Sequence, residues 1–182
     1  MKFVPSFKEH LTRYVFAMPY VYKGKSVIDV GSGDGYGGML LSYGASKVSL
    51  VDNDPQRLKR AKLNYKYFCE DVEFLQVDLE KEYPKGKWDV ATAFEVIEHV
   101  EDPHFLVANI AEHLTEGGCL VFSVPHMVAN HEHKTLFDEE GIKKLVGKYL
   151  TIDEFYVQDK QIFSDKPLYK DLKCYVGVAY KR

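Results

Sequence analysis

The sequence has no run approaching the ~18 consecutive apolar residues that a membrane-spanning helix needs, and its N-terminus, MKFVPSFKEH, lacks the apolar stretch of a signal peptide. Cysteine is scarce. Cys69, Cys119 and Cys174 are scattered and form no C-x-x-C pair, which fits packing residues in a reducing compartment. Nor is there an excess of positive charge: 24 Lys and Arg against 27 Asp and Glu leave a net −3, which argues against general, salt-driven nucleic-acid binding. Repeats, low-complexity tracts and linkers are absent too. What remains is a 182-residue chain, 46% apolar and 28% charged, long enough to bury a core as one domain over residues 1–182. A cytoplasmic protein without a membrane span is expected.

Along the chain, strand-like and helix-like segments alternate. Phe7, Leu11, Tyr14, Val15 and Met18 recur at helical spacing, predicting an amphipathic helix over about residues 5–19. SVIDV, KVSLVD, VEFLQV, WDVATAF and CLVFSV read as five strands. The helix after the first runs to about Gly44. Asp54 and Pro55 open the next, with Leu58, Ala61, Tyr65 and Phe68 as its buried stripe. A third starts at EDP, carries Phe105, Leu106, Ile110 and Leu114 inward, and is expected to stop at Gly117 and Gly118. A last helix near Asp138–Val146 precedes TIDEFYVQ and KCYVGVAY, expected as an antiparallel terminal hairpin. This order implies an α/β, Rossmann-like, doubly wound sheet, mostly parallel and seven-stranded, whose ligand sits at the carboxyl ends of the strands.

That is where VIDVGSGDGYGG falls, with five glycines in eight positions. Gly33, Gly35 and Gly38 satisfy the G-x-G-x-x-G of a dinucleotide loop, whereas Asp29 with Gly31, Gly33 and Gly35 spells a different one. Asp29 near the end of a buried strand is costly without a partner, and a bound cationic amine would be one. Asp52, closing the second strand, can accept both hydroxyls of a ribose, which serves NAD equally well. Asp78 closes the third strand, where a carboxylate suits the exocyclic amine of adenine. As structural alternatives, Asp52 and Asp54 could cap the following helix, and Asp78 the turn LEKEY.

With VIDVGSGDG, VSLVDND, VDLE and WDVATAFEVIEHVEDP in this order on successive strand ends, the sequence resembles the class I S-adenosylmethionine-dependent methyltransferases over nearly its whole length. Within them it is similar to the group of ubiquinone-biosynthesis O-methyltransferases and small-molecule enzymes. The resemblance implies S-adenosylmethionine as cofactor and S-adenosylhomocysteine as product. The glycines Gly31, Gly33 and Gly35 would let the backbone approach its methionine portion, with Asp29 nearby. Asp52 would hold the ribose hydroxyls, Asn53 and Leu79 would flank adenine and Asp78 accept its amine; Ser32, Tyr36 and Phe94 are further candidate cofactor contacts. No DPPY or NPPY motif follows the fourth strand, so a DNA amino-methyltransferase is not expected.

On the acceptor side, His99 and Glu95 are the candidate catalytic residues, His99 as a base toward a hydroxyl or else as a packing histidine. FEVIEHV with the downstream histidines His126, His131 and His133 also resembles the small-RNA 3′-end 2′-O-methyltransferases, which hold a metal with two glutamates and two histidines. That resemblance implies a divalent cluster of Glu95, Glu98, His99 and one of these, His131 being the one selected. HLTRYVFAMPYVYKGK resembles the entry helix of bacterial methyltransferases, some associated with glycans. It could act as a lid, with Tyr14 in the core and Arg13 contacting a carboxylate or the acceptor. A small-molecule or glycan acceptor is expected, methylated at oxygen. RNA ends, a non-catalytic cofactor-binding subunit, and a partner or dimer mate completing the site are the alternatives.

Overall fold

Five parallel strands form first in the chain, and three antiparallel ones extend them into one eight-stranded sheet in the computed structural model, which describes residues 7–22, 24–65, 71–129, 131–165 and 174–182. Residues 5–6 of the expected first helix, Phe68, Cys69 and Lys173 lie outside the described residues. The elements are α1 (Phe7–Val21), β1 (Ser26–Val30), α2 (Tyr36–Leu41), β2 (Lys47–Asp52), α3 (Pro55–Tyr65), β3 (Val72–Gln76), β4 (Trp88–Phe94), a 3₁₀ turn (Ile97–His99), α4 (Pro103–His113), β5 (Leu114–Pro125), α5 (Glu139–Gly147), β6 (Thr151–Asp159), β7 (Ile162–Ser164) and β8 (Cys174–Tyr180). The strand order is β3-β2-β1-β4-β5-β8-β6-β7. It reverses direction on either side of β1 and β4, which opens a crevice above their carboxyl ends. Among the described residues no helix is long and apolar enough to cross a membrane.

Helices α1, α2 and α3 cover one face, and α4 and α5 the other. Val27, Val90, Phe94, Val121 and Val178 meet α1 and α2; Leu50 and Val48 meet Ala61 and Tyr65 of α3. On the opposite face Ile28, Val30, Ala91, Leu120 and Phe122 pack on Leu106, Ile110, Ile142 and Leu145. With both faces covered, β1 and β4 are buried along almost their whole length, as a parallel sheet requires. Asp54 accepts from the Gln56 amide at 2.7 Å, Asp102 from Phe105 at 3.0 Å and Asp138 from Gly141 at 2.7 Å. Each supplies one of the partners that the first turn of a helix lacks.

Three expectations change. The sheet gains an eighth strand, because β7 folds back on β6 through Gln158–Phe163 register, while β8 slots between β5 and β6. Helix α4 ends at His113, and Gly117 and Gly118 belong to β5. Leu114 already pairs with Trp88, the register then shifts, and Gly117 takes φ +72 while Gly118 passes within 2.9 Å of the Asp89 carbonyl where a Cβ would sit. These glycines make a bulge possible. Finally α2 stops at Leu41, and the chain to Gly44 runs in turns closed by Tyr43 N–H to Leu40 O and Gly44 N–H to Leu41 O.

Candidate active site

The five glycines after β1 divide into two kinds. Gly31, Gly33 and Gly35 have φ of +68, +56 and +78, the left-handed region that side chains disfavour, so they form the turn itself. Gly37 and Gly38 lie inside α2, where a Cβ would run into the Tyr14 ring and the Leu50 side chain. They are packing residues, and the G-x-G-x-x-G spacing of Gly33, Gly35 and Gly38 is incidental.

Asp52 fastens the turn to α3. Its Oδ2 accepts from Gly33 N–H and its Oδ1 from Asp54 N–H, both at 2.9 Å, while Ser32 N–H bonds to Val51 O at 2.9 Å. Tyr65 donates to Gly35 O at 2.8 Å, and Arg60 pairs with Asp34 at 2.8 Å. The loop is therefore shaped before any ligand arrives. Ser32 is buried and its hydroxyl has no partner among the described residues.

Asp29 lies beneath this loop, fully buried. Thr92 donates to it at 2.6 Å and Tyr14 at 3.2–3.3 Å, so its partners are two hydroxyls rather than a cationic amine. Burial pushes its pKa up to about 7, against the pull of those hydrogen bonds. It lines neither of the cavities described next, and the expected direct ligand contact gives way to a support beneath the loop.

Two adjoining cavities open above the strand ends. The first, about 460 Å³, is lined by Gly31, Asp52, Asn53, Val77, Asp78, Leu79, Val96, Val100 and His99; the second, about 350 Å³, by His10, Tyr14, Ser32, Gly33, Tyr36 and Phe94. Gly31, Arg57 and Glu95 line both. The sequence-selected residues Asp52, Asn53, Asp78 and Leu79 thus gather in one compartment, and Ser32, Gly33, Tyr36 and Phe94 in the other. Asp78 also caps the LEKEY turn. It accepts from Glu80 N–H and pairs with Lys81 at 2.6 Å, and Lys81's hydrogen bond holds its carboxyl below the usual range. His10, Val77, Val96 and Val100 lie within the quoted stretches HLTRYVFAMPYVYKGK, VDLE and FEVIEHV, but only the fold shows that they line the cavities.

Beyond β4, Glu95 takes φ +56 and its N–H bonds to Ser123 O at 3.1 Å. Its Oε1 meets Arg13 at 3.1 Å, the Ser123 hydroxyl at 3.1 Å and the Cys174 thiol at 3.2 Å. Arg13, 1% exposed, also donates to Gln158 at 2.6 Å. Tyr20 bonds to Glu154, and Phe16 stacks against Phe163, so α1 is riveted to β1, β4, β6 and β7.

Glu98 is 1% exposed with neither carboxylate oxygen partnered among the described residues, and burial followed by the charge of Glu95 pushes its pKa well up. His99 Nε2 stands 3.7 Å from Glu98 Oε1, and the His99 and His133 rings meet edge-on at 4.8 Å. The cluster that the second resemblance implies for a divalent ion is corrected in two members. His131 is 86% exposed and faces Glu132, so the loop delivers His133 in its place; Glu95 turns to Arg13. His126 bonds to Tyr175 at 2.7 Å.

A family model described as a methyltransferase domain matches residues 7–149. The chain belongs to the methyltransferase domain family. S-adenosylmethionine is the methyl donor of such class I enzymes, and the residues present fit it: a backbone turn at Gly31 with no room for a Cβ, which would lie 2.5 Å from Val96, a carboxylate at the end of β2, and an unpartnered buried hydroxyl at Ser32. The chain is 34% identical over 109 residues to a ubiquinone biosynthesis O-methyltransferase of Coxiella burnetii, covering 56% of this chain and 44% of that one. It is also 34% identical over 127 residues to one of Escherichia coli, covering 69% and 53%. The chain thus spans about half the length of these relatives. Among solved structures, the N-methyltransferase NodS of Bradyrhizobium japonicum in complex with S-adenosyl-L-homocysteine superposes with a TM-score of 0.78 at 17% identity, over 95% of this chain and 86% of that one. An S-adenosylmethionine-dependent methyltransferase of Clostridium acetobutylicum gives 0.78 at 13%, over 96% and 92%. These likenesses are of fold.

Proposed function

We propose that residues 1–182 act as one methyltransferase unit that binds S-adenosylmethionine across the two cavities and methylates an oxygen of a small or mid-sized acceptor. The observation carrying this is the pair of compartments meeting at Gly31 and Glu95, one rich in nucleoside-binding groups and the other walled by the glycine turn. Asp52 keeps lone pairs for ribose hydroxyls after accepting from Gly33 and Asp54. Asn53 and Leu79 flank adenine, and Asp78 faces its amine. Gly31, Ser32, Gly33, Gly35, Tyr36 and Phe94 follow the methionine portion. Asp29 serves from below by holding Tyr14.

The bound cofactor supplies an already activated methyl group, so alignment of the acceptor is the protein's main contribution. His99 lines the first cavity with its Nδ1 3.0 Å from Glu132 O, leaving Nε2 to take a proton from an acceptor hydroxyl. The tight anchoring of α1 supports a fixed wall rather than a swinging lid.

A second reading is favoured by the unpartnered Glu98 beside two histidines whose ligand atoms lie within 4.8 Å of one another. His133 Nδ1 sits 2.6 Å from Val128 O, and His99 Nδ1 on Glu132 O, which puts both protons on Nδ1 and presents both Nε2 lone pairs. A divalent ion held by Glu98, His99 and His133 would lower the pKa of an acceptor hydroxyl and suit vicinal diols, RNA ends included.

Calorimetric titration of S-adenosylmethionine, S-adenosylhomocysteine and NAD, with and without magnesium or manganese, tests both readings. Binding of the two sulfur compounds alone supports the first. A separate metal-binding event, with activity lost on chelation, brings the second forward. Saturable cofactor binding with no turnover on diol, phenol, glycan or RNA acceptors would mark a non-catalytic subunit, and binding of NAD alone would overturn the assignment.

A further inference from the structure

Glu95 presents its two oxygens very differently. Oε1 is ion-paired with Arg13 and accepts from Ser123 and Cys174, whereas Oε2 has no partner among the described residues. Arg13 is 1% exposed and Glu95 10%, so the cation of this ion pair is sealed inside and the anion reaches the cleft. Of the three residues shared by both compartments, Gly31 has no side chain and Arg57 is half exposed, 3.8 Å from Asp54. The charge sealed into the junction is therefore the Glu95 carboxylate.

We infer that Glu95 is a charge-reading residue, one that favours the sulfonium of S-adenosylmethionine over the neutral thioether left after methyl transfer. The inference rests on the proposed placing of the cofactor across the two cavities. Sulfur is the atom that joins the adenosyl group to the amino-acid portion, so it belongs where the compartments join. Methyl transfer carries the carbon, without its bonding pair, to the acceptor oxygen; the pair stays on sulfur, which loses its positive charge. A carboxylate at the junction holds the donor and releases the product. A free carboxylate there would be costly to bury. Arg13 offsets that cost from the far side. It is a positioning residue, itself fixed by Gln158, whose amide donates to Glu9 O at 3.0 Å and Lys160 O at 2.7 Å.

The test is the ratio of the two affinities, measured by calorimetry in the presence of a chelator for the wild type and for Glu95→Gln. The two ligands share every atom except the transferred methyl, so damage to the cleft's shape lowers both affinities alike. The expected result is that S-adenosylmethionine weakens on the order of tenfold, the effect of a charge a few ångströms away at an effective dielectric of about 20 with its counter-ion behind it, while S-adenosylhomocysteine stays within about twofold. Equal losses, or an unchanged ratio, overturn the inference and leave the cofactor site standing. Failure of both ligands to bind the wild type removes the site and the inference together. Should Glu95→Gln not fold, Glu95→Asp keeps the charge and draws it back by one methylene. Its ratio must then fall below the wild type's, and an unchanged ratio again overturns the inference.

Discussion

The cleft has two halves built on opposite plans. Around the glycine turn, backbone N–H groups meet Asp52, and the groups left for a ligand are loop amides, a carboxylate and the buried, unpartnered Ser32 hydroxyl. Around Glu95, buried side chains meet one another across long stretches of chain: Arg13, Gln158, Cys174 and Ser123 from α1, β6, β8 and β5. The first half tolerates change better, because the partners it can lose are neutral backbone N–H groups. The second does not, since a buried charge stripped of its counter-ion has nowhere to turn.

Removing that counter-ion should show the contrast most sharply. Arg13→Met leaves Glu95 uncompensated and should cost about 3–5 kcal/mol of stability, read from urea unfolding. A loss under 1 kcal/mol would place the two halves on the same footing.

Asp29, beneath the glycine turn, predicts a pH dependence. Its carboxyl is raised in the folded protein to about 7, so the folded state holds its proton more tightly than the unfolded chain. Its stabilising contribution is complete below the unfolded pKa of about 4 and is lost as pH rises through the folded value. Stability should therefore fall relative to Asp29→Asn between about pH 4 and pH 7, by on the order of 3–4 kcal/mol. Parallel curves for the two proteins would refute the shift.

In the open half the effects are smaller. Asp52→Ala should weaken S-adenosylmethionine by about 1–3 kcal/mol through unpaired ribose hydroxyls, and wild-type affinity in a folded variant would remove that role. Smallest is Asp102→Ala, which takes the cap from α4 and touches neither half; about 1 kcal/mol of stability, with unaltered cofactor affinity, sets the baseline.

The two halves were also unequally legible. Strand ends carrying Gly31, Asp52 and Asp78 could be read from local pattern, because a turn, a cap and an apolar run are each written within a few residues. The same locality misled at Gly117 and Gly118, where a helix stop and a strand bulge call for the same residue. It also left two glycine spacings in competition until Tyr14 and Leu50 claimed Gly37 and Gly38. Around Glu95 little was local. H-x-H supplies His131 and His133 alike, and only the course of the loop, pinned by Lys134 N–H to Glu98 O at 2.8 Å, turns one inward. Tyr14's reach to Asp29 and the partners of Arg13 depend on where α1 docks, which no spacing encodes.

The bond from Arg13 to Gln158 joins positions 145 residues apart. During synthesis, a ribosome that has reached Leu150 has already made every strand of the parallel array, with the glycine turn and Asp52 in place. Helix α1 can already pack on β1, β4 and β5 and set Arg13 against Glu95, but the guanidinium's second partner, Gln158, arrives only with β6. The glycine-turn half is therefore made in full while the network behind Glu95 still lacks Gln158 and Cys174. In the growing polypeptide, the earliest helix described receives its last side-chain bonds only when the C-terminal strands emerge.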